Sequence, residues 1–250
     1  NGIGTSILGY SNKKVNEAVI KAINEGVNTT LNCQDEYLFA KKLLEIDKNF
    51  SYVKFARTGG EAMAIAIRIA RSQSKRSKVA FSGYHGWHDW YLSTNLKSKT
   101  NLNKQLLPGL TPLGVPKELI GTSVPIIFND LNSLEKAMKL NSDIGVLVVE
   151  GARNEILSDE FCKSINFYAK KRNIVIVIDE ITSGWRSTIG GVYKNTPIIP
   201  DVVVYGKALG NGFAISAILG KKNVMKNSQN SFISSTMWTE KVGFAAGIAT

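Results

Sequence analysis

The sequence predicts an α/β fold, a mostly parallel sheet with helices packed on its faces. Segments of helical period alternate with short apolar runs along the 250 residues. Two of those runs, 174–178 and 202–205, are β-branched, bounded by turn residues and followed by charge at Asp179 and Lys207. Strands buried on both faces of a parallel sheet read this way. With 44% hydrophobic residues and no Pro/Gly/Ser linker, repeat or low-complexity stretch, the chain can bury its core as one large domain.

The elements follow in order. Val15, Ala18, Val19, Ala22 and Ile23 share one face of a helix over 12–25 that Gly26 stops. A second helix is expected over 35–44. Residues 52–55 read as a strand, after which Thr58-Gly59-Gly60-Glu61-Ala62 opens a third helix, 60–72, with Ala62, Ile65, Ala66, Ile69 and Ala70 inward. Strands are expected at 78–82, 124–128 and 144–150, and helices at 131–140 and 160–172 separate the later strands. The alanine-rich stretch 244–250 has no stop signal and the chain starts without Met, so it reads as the central part of a longer protein.

Composition narrows the function classes. No run of 18 apolar residues is present, and Asn1-Gly2-Ile3-Gly4 has neither the basic head nor the apolar run of a secretory signal, so no membrane role is expected. Cys33 and Cys162 lack metal or redox spacing, which fits a reducing, cytoplasmic setting. The net charge of +11 invites a nucleic-acid reading. Its lysines are scattered, however, with only short groups at 75–78, 170–172 and 221–222 and no interleaved aromatics, so a solvated basic surface is expected instead.

In open α/β sheets ligands sit outside the carboxyl ends of the strands. An aspartate and a lysine each closing a strand there suit a pyridoxal phosphate site, the lysine holding the aldehyde as a Schiff base and Asp179 keeping the pyridinium protonated. Taken singly, each also reads as an ordinary residue, a turn cap and a solvated charge. Thr58-Gly59-Gly60 at a helix start is either an anion-binding turn or a plain glycine turn. In Ser82-Gly83-Tyr84-His85-Gly86-Trp87-His88-Asp89-Trp90 an aromatic follows a strand, where it can lie flat on a planar ring. His85, His88 and Asp89 also suggest a metal, yet no further ligand cluster accompanies them and none is expected. Trp87 and Trp90 are expected in the core. Glu150 closes its strand near the same crevice, and Arg153 and Glu155 read as a solvated pair.

Together these segments resemble the class III (subgroup II) pyridoxal phosphate-dependent aminotransferases, particularly the glutamate-1-semialdehyde 2,1-aminomutase-like branch. Asp179-Glu180-Ile181-Thr182-Ser183-Gly184-Trp185-Arg186 is similar to the family's D-E-V/I-x-x-G-x-R. The run from Pro200-Asp201 to Lys207-Ala208-Leu209-Gly210-Asn211-Gly212 is similar to its P-D-x-x-x-x-x-K-x-L-G-x-G. The resemblance implies fold type I, with a central, mostly parallel seven-stranded sheet between helices. Residues 1–250 would be the cofactor-binding large domain, without the N-terminal segment and the C-terminal small domain.

Carried over residue by residue, the resemblance makes Lys207 the Schiff-base lysine and proton shuttle and Asp179 the partner of the pyridine nitrogen. Tyr84 would cover one ring face and Ile181 the other, with His85 and Glu150 beside the cofactor. Thr58, Gly59 and Gly60 would hold the phosphate, and Thr236 would reach the cofactor of a neighbouring subunit, which implies a homodimer. Three positions depart from the pattern: Gly60 stands where Ser or Thr is common, Gly151 replaces a proline, and Trp238-Thr239-Glu240 replaces G-G-N. The expected activity is amino transfer between a small-molecule donor and acceptor. Alternatives are the intramolecular aminomutase shift, a basic nucleic-acid-binding module and a non-catalytic fragment.

Overall fold

The computed structural model describes residues 2–250. Among them, seven strands form one sheet in the order β1-β7-β6-β5-β4-β2-β3. The strands are β1 (Tyr52–Ala56), β2 (Lys78–Ser82), β3 (Ser123–Pro125), β4 (Ile144–Glu150), β5 (Val175–Asp179), β6 (Val202–Tyr205) and β7 (Ser216–Gly220). Every pairing from β6 to β3 is parallel, whereas β7 runs antiparallel to both β6 and β1. Consequently β1, β2, β4, β5 and β6 all point the same way, and their carboxyl ends share one edge of the sheet.

The helices are α1 (Lys13–Asn24), α2 (Gln34–Ile46), α3 (Gly59–Ser74), the short α4 (Asp89–Leu92) and α5 (Thr94–Lys97), α6 (Leu131–Leu140), α7 (Asp159–Arg172), the short α8 (Lys222–Met225) and α9 (Lys241–Ala249). Local chemistry sets their ends. Asn12, Thr58, Asp130 and Ser158 cap α1, α3, α6 and α7 by accepting a backbone N–H with the side chain.

Both faces of the sheet are covered, which is why its central strands carry almost no polar residues. Along β4, Val146 and Val148 pack with α3 residues Ala62, Met63, Ile65, Ala66 and Ile69, while Leu147 and Val149 face the opposite core of Phe39, Phe161 and Ile165. Each such fully buried aliphatic side chain contributes about 1.5–3 kcal/mol relative to exposure. On the second face, Phe55 of β1 stacks on Phe39 of α2 at 5.3 Å and meets Phe244 of α9 edge-on at 5.0 Å.

The helices expected at 12–25, 35–44, 60–72 and 160–172 occur within one or two residues, and the helix at 131–140 and the strands at 78–82, 144–150 and 202–205 occur as read. The strand expected at 124–128 is shorter and starts at Ser123, since Pro125 brings no N–H to continue a ladder at the sheet's edge. Strand β7 was not anticipated, although Ala217-Ile218-Leu219 before Gly220 carries a strand signal. The alanine-rich stretch near the end belongs to α9.

Candidate active site

Parallel pairing puts five loops side by side at the shared strand edge, and those after β1, β2, β5 and β6 enclose a cavity of about 530 Å³. Ligand pockets of this size hold one small molecule or cofactor. Asp179 and Lys207 line it together, with Gly59, Tyr84, Ile181 and Thr182 among the other walls. The register explains the meeting: Asp179 pairs with Val204 across β5 and β6, three residues before Lys207.

Asp179 is buried and both of its oxygens are engaged. Oδ1 accepts the Ile181 N–H at 3.0 Å, and Oδ2 lies 2.8 Å from His85 Nδ1. His85 is itself buried, held by Ser82 O at 3.1 Å and stacked on Trp90 at 5.9 Å. A carboxylate oxygen has two lone pairs, so the acid keeps acceptor capacity towards the cavity.

Lys207 begins the turn after β6 with φ +44°, a left-handed conformation that a non-glycine residue adopts at a cost of roughly 1–3 kcal/mol. Its Nζ donates to Thr182 Oγ1 at 2.8 Å. Burial pushes the amine below the ordinary lysine range; Asp179 opposes that shift, and Arg153 and Arg186 reinforce it. Behind the turn, buried Asn211 accepts the Leu8 N–H at 2.7 Å and donates to Gly9 O at 3.2 Å, tying the segment around residues 8 and 9 to the lysine loop.

At the other end of the cavity, α3 begins. Thr58 accepts the Glu61 N–H with Oγ1 and the Ala62 N–H with its carbonyl, so the Gly59 and Gly60 N–H groups have no acceptor among the described residues. The positive end of a 16-residue helix therefore opens into the cavity. A planar ring bearing a phosphate fits this donor set: amides for the anion, an aromatic wall at Tyr84, an aliphatic wall at Ile181, and an acid and an amine between them.

Several expected residues lie elsewhere. Glu150 does not line the cavity: it is buried behind the Tyr84 loop, accepting the Tyr84 N–H at 3.2 Å and pairing with Arg153 through two hydrogen bonds. Arg153 thus pairs with Glu150 rather than with Glu155. Gly83 permits the arrangement, because its φ is +111° and a Cβ there would run into the Glu150 carboxylate. Thr236 is exposed and outside this cavity. Trp90 is buried as expected, but Trp87 is 70% exposed, since its loop turns outward after Gly86.

Sequence reading missed Thr182, His88 and Glu180. Thr182 meets Lys207 across 25 residues, a contact that no local pattern signals. Glu180 is fully buried, accepting the Ser183 hydroxyl at 2.5 Å and the Tyr193 N–H at 2.8 Å, and burial pushes its carboxyl up to about 7. Its sequence signals were its place beside Asp179 and in the D-E motif, neither of which marks it as buried.

The profile of the family "Aminotransferase class-III" matches residues 1–250. The chain is 30% identical over 99% of its length to the 3-aminobutyryl-CoA aminotransferase of Cloacimonas acidaminovorans and 33% identical over 100% to a glutamate-1-semialdehyde 2,1-aminomutase of Saccharolobus islandicus. It spans 58% and 59% of those two proteins. Among solved structures, a transaminase with PLP bound superposes with TM-score 0.88 at 22% identity, and an omega-transaminase from Sphaerobacter thermophilus with 0.86 at 23%. Each is covered over 60% of its own chain and 100% of this one. At that identity the likeness establishes the fold.

Proposed function

The chain belongs to the class-III aminotransferase family, and from that premise we infer that it moves an amino group with pyridoxal 5′-phosphate as cofactor, residues 1–250 forming the cofactor-binding large domain. The observation that carries this is the convergence of Lys207, Asp179 and the open amide end of α3 on one cavity. When bound, the cofactor supplies an aldehyde for the substrate amine and a ring that takes up electrons.

The chain's own residues supply the rest. Lys207 Nζ would hold the cofactor's aldehyde, and the same amine would take and return the proton at the substrate's α-carbon. Its depressed pKa increases the neutral, basic fraction. Asp179, oriented by His85 and the Ile181 N–H, would hold the proton on the cofactor's ring nitrogen. Tyr84 and Ile181 would cover the ring's two faces and exclude water, and the Gly59 and Gly60 amides would take the phosphate.

Thr236 is exposed on a segment whose residues 232–234 lie beside α3, which supports its assignment to a neighbouring subunit's site in a homodimer. A cytoplasmic location belongs to the same proposal. Among the described residues no helix is long and apolar enough to cross a membrane.

Loading the purified protein with pyridoxal phosphate and screening amino donors tests the function. A visible chromophore that Lys207→Ala abolishes, and that amino donors convert, supports it; failure to take up the cofactor overturns it. The second reading, an intramolecular aminomutase, is favoured by the relatives 31–33% identical that carry that name. Turnover of glutamate-1-semialdehyde without an added donor selects it.

A further inference from the structure

We propose that His88 is a ligand of the cofactor's phosphate, standing in the space that a side chain at position 60 would occupy. The proposal rests on the pyridoxal phosphate assignment and adds a residue to it.

A Cβ built on Gly60 would lie 2.8 Å from both Nε2 and Cδ2 of the His88 ring and 3.8 Å from the indole nitrogen of Trp87. The imidazole therefore sits directly over the first turn of α3, and His88 and a side chain at residue 60 exclude one another. The ring is positioned by stacking, not by polar contacts: it lies on the Trp87 indole at 4.7 Å and 20°. Neither of its nitrogens has a hydrogen-bond partner among the described residues, although the backbone carbonyl of His88 accepts from Tyr91 and Leu92.

A fixed, half-buried imidazole with free nitrogens beside two free amides is a poor arrangement for a protein without a ligand. Amide N–H groups and an imidazole N–H repel one another unless an acceptor lies between them. An anion satisfies all of them at once. Of the two carboxylates in the cavity lining, Asp179 is held by His85, and Glu61 is turned back onto the Arg57 N–H at 2.8 Å. Neither is hydrogen-bonded to His88. The only anion that the assigned cofactor brings to the helix end is its phosphate.

Spectroscopic titration measures the affinity for pyridoxal 5′-phosphate and for pyridoxal, which lacks the phosphate. His88→Ala is expected to weaken the phosphorylated form about tenfold, as for loss of a hydrogen bond to a charged group, and to leave pyridoxal unchanged. His88→Phe keeps the stacking and removes the nitrogens, so it is expected to lose the same affinity. Gly60→Ser is expected to weaken binding when His88 is present and to recover part of the loss in the His88→Ala background, where its hydroxyl enters the vacated space.

Wild-type affinity in His88→Phe, or equal losses for pyridoxal and its phosphate, overturns the role of His88 while leaving the cofactor assignment standing. No uptake of cofactor by the wild-type protein removes both. Circular dichroism of each variant separates loss of binding from loss of fold.

Discussion

His85 Nδ1 lies 2.8 Å from Asp179 Oδ2 while His85 Nε2 lies 3.1 Å from the carbonyl oxygen of Ser82. A carbonyl and an ionised carboxylate only accept, so the ring bridges two acceptor oxygens. The imidazole is thus a rigid strut from the end of β2 to the acid closing β5. Phe81 meets it edge-on at 5.9 Å and Trp90 stacks on its other side.

Replacing this strut with an isosteric apolar ring isolates its polar role. His85→Phe is expected to retain the aromatic packing, to leave Asp179 held only by the Ile181 N–H, and to lower turnover by about ten- to a hundredfold. Steady-state kinetics on the cofactor-loaded protein measure it. Wild-type turnover shows that the acid needs no partner.

Lys207 offers a test through its neighbours. Arg186 donates to the Thr182 and Gly4 carbonyls, and its charge lowers the Lys207 pKa. Arg186→Met is expected to raise that pKa slightly, because Arg186 is exposed and screened by solvent. The rate at which the free amine captures pyridoxal phosphate should then rise at higher pH than in the wild type. High salt should shrink the difference, and identical pH profiles reject the coupling.

Glu180 makes stability pH-dependent. Burial raises its folded pKa to about 7 from the ordinary glutamate value of 4.5, with Ser183 and the Val192 and Tyr193 amides opposing and Asp179 reinforcing the rise. Between those two values the unfolded chain has released a proton that the folded chain still holds. Its contribution is therefore complete below the unfolded pKa and lost as pH rises through the folded one, on the order of 3 kcal/mol across the window. Denaturant titrations from pH 4.5 to 8 should show this decline in the wild type and a flatter profile in Glu180→Gln; parallel profiles count against it.

Gly151 is the second place where Glu180 constrains the sequence. A Cβ there would run into the Glu180 carboxylate, which cannot withdraw because it is buried and held by Ser183 and Tyr193. Gly151→Ala is expected to destabilise the fold by about 1–3 kcal/mol, the usual cost of overpacking a filled site. Thermal unfolding reads it directly, and an unchanged midpoint shows that the loop yields. The same contact gives a physical reason why glycine stands at this position.

Local chemistry was legible before any coordinates. Helical period, the Gly26 stop, the β-branched runs and the charge closing them located most elements and marked Asp179 and Lys207, because each signal lies within one turn or one strand. Strand β7 depends on pairing between β1 and β6, so neither its presence nor its antiparallel direction follows from its own five residues.

The register across β5 and β6 decided that the acid and the amine share a cavity, and packing decided the rest. Tertiary structure alone sent Glu150 behind the Tyr84 loop, turned Trp87 outward, brought Thr182 to Lys207 and laid His88 over Gly60. The physical reason is range: periodicity and capping act between neighbours along the chain, whereas His85 and Asp179 are 94 residues apart and meet only because the sheet between them is assembled and both faces are filled.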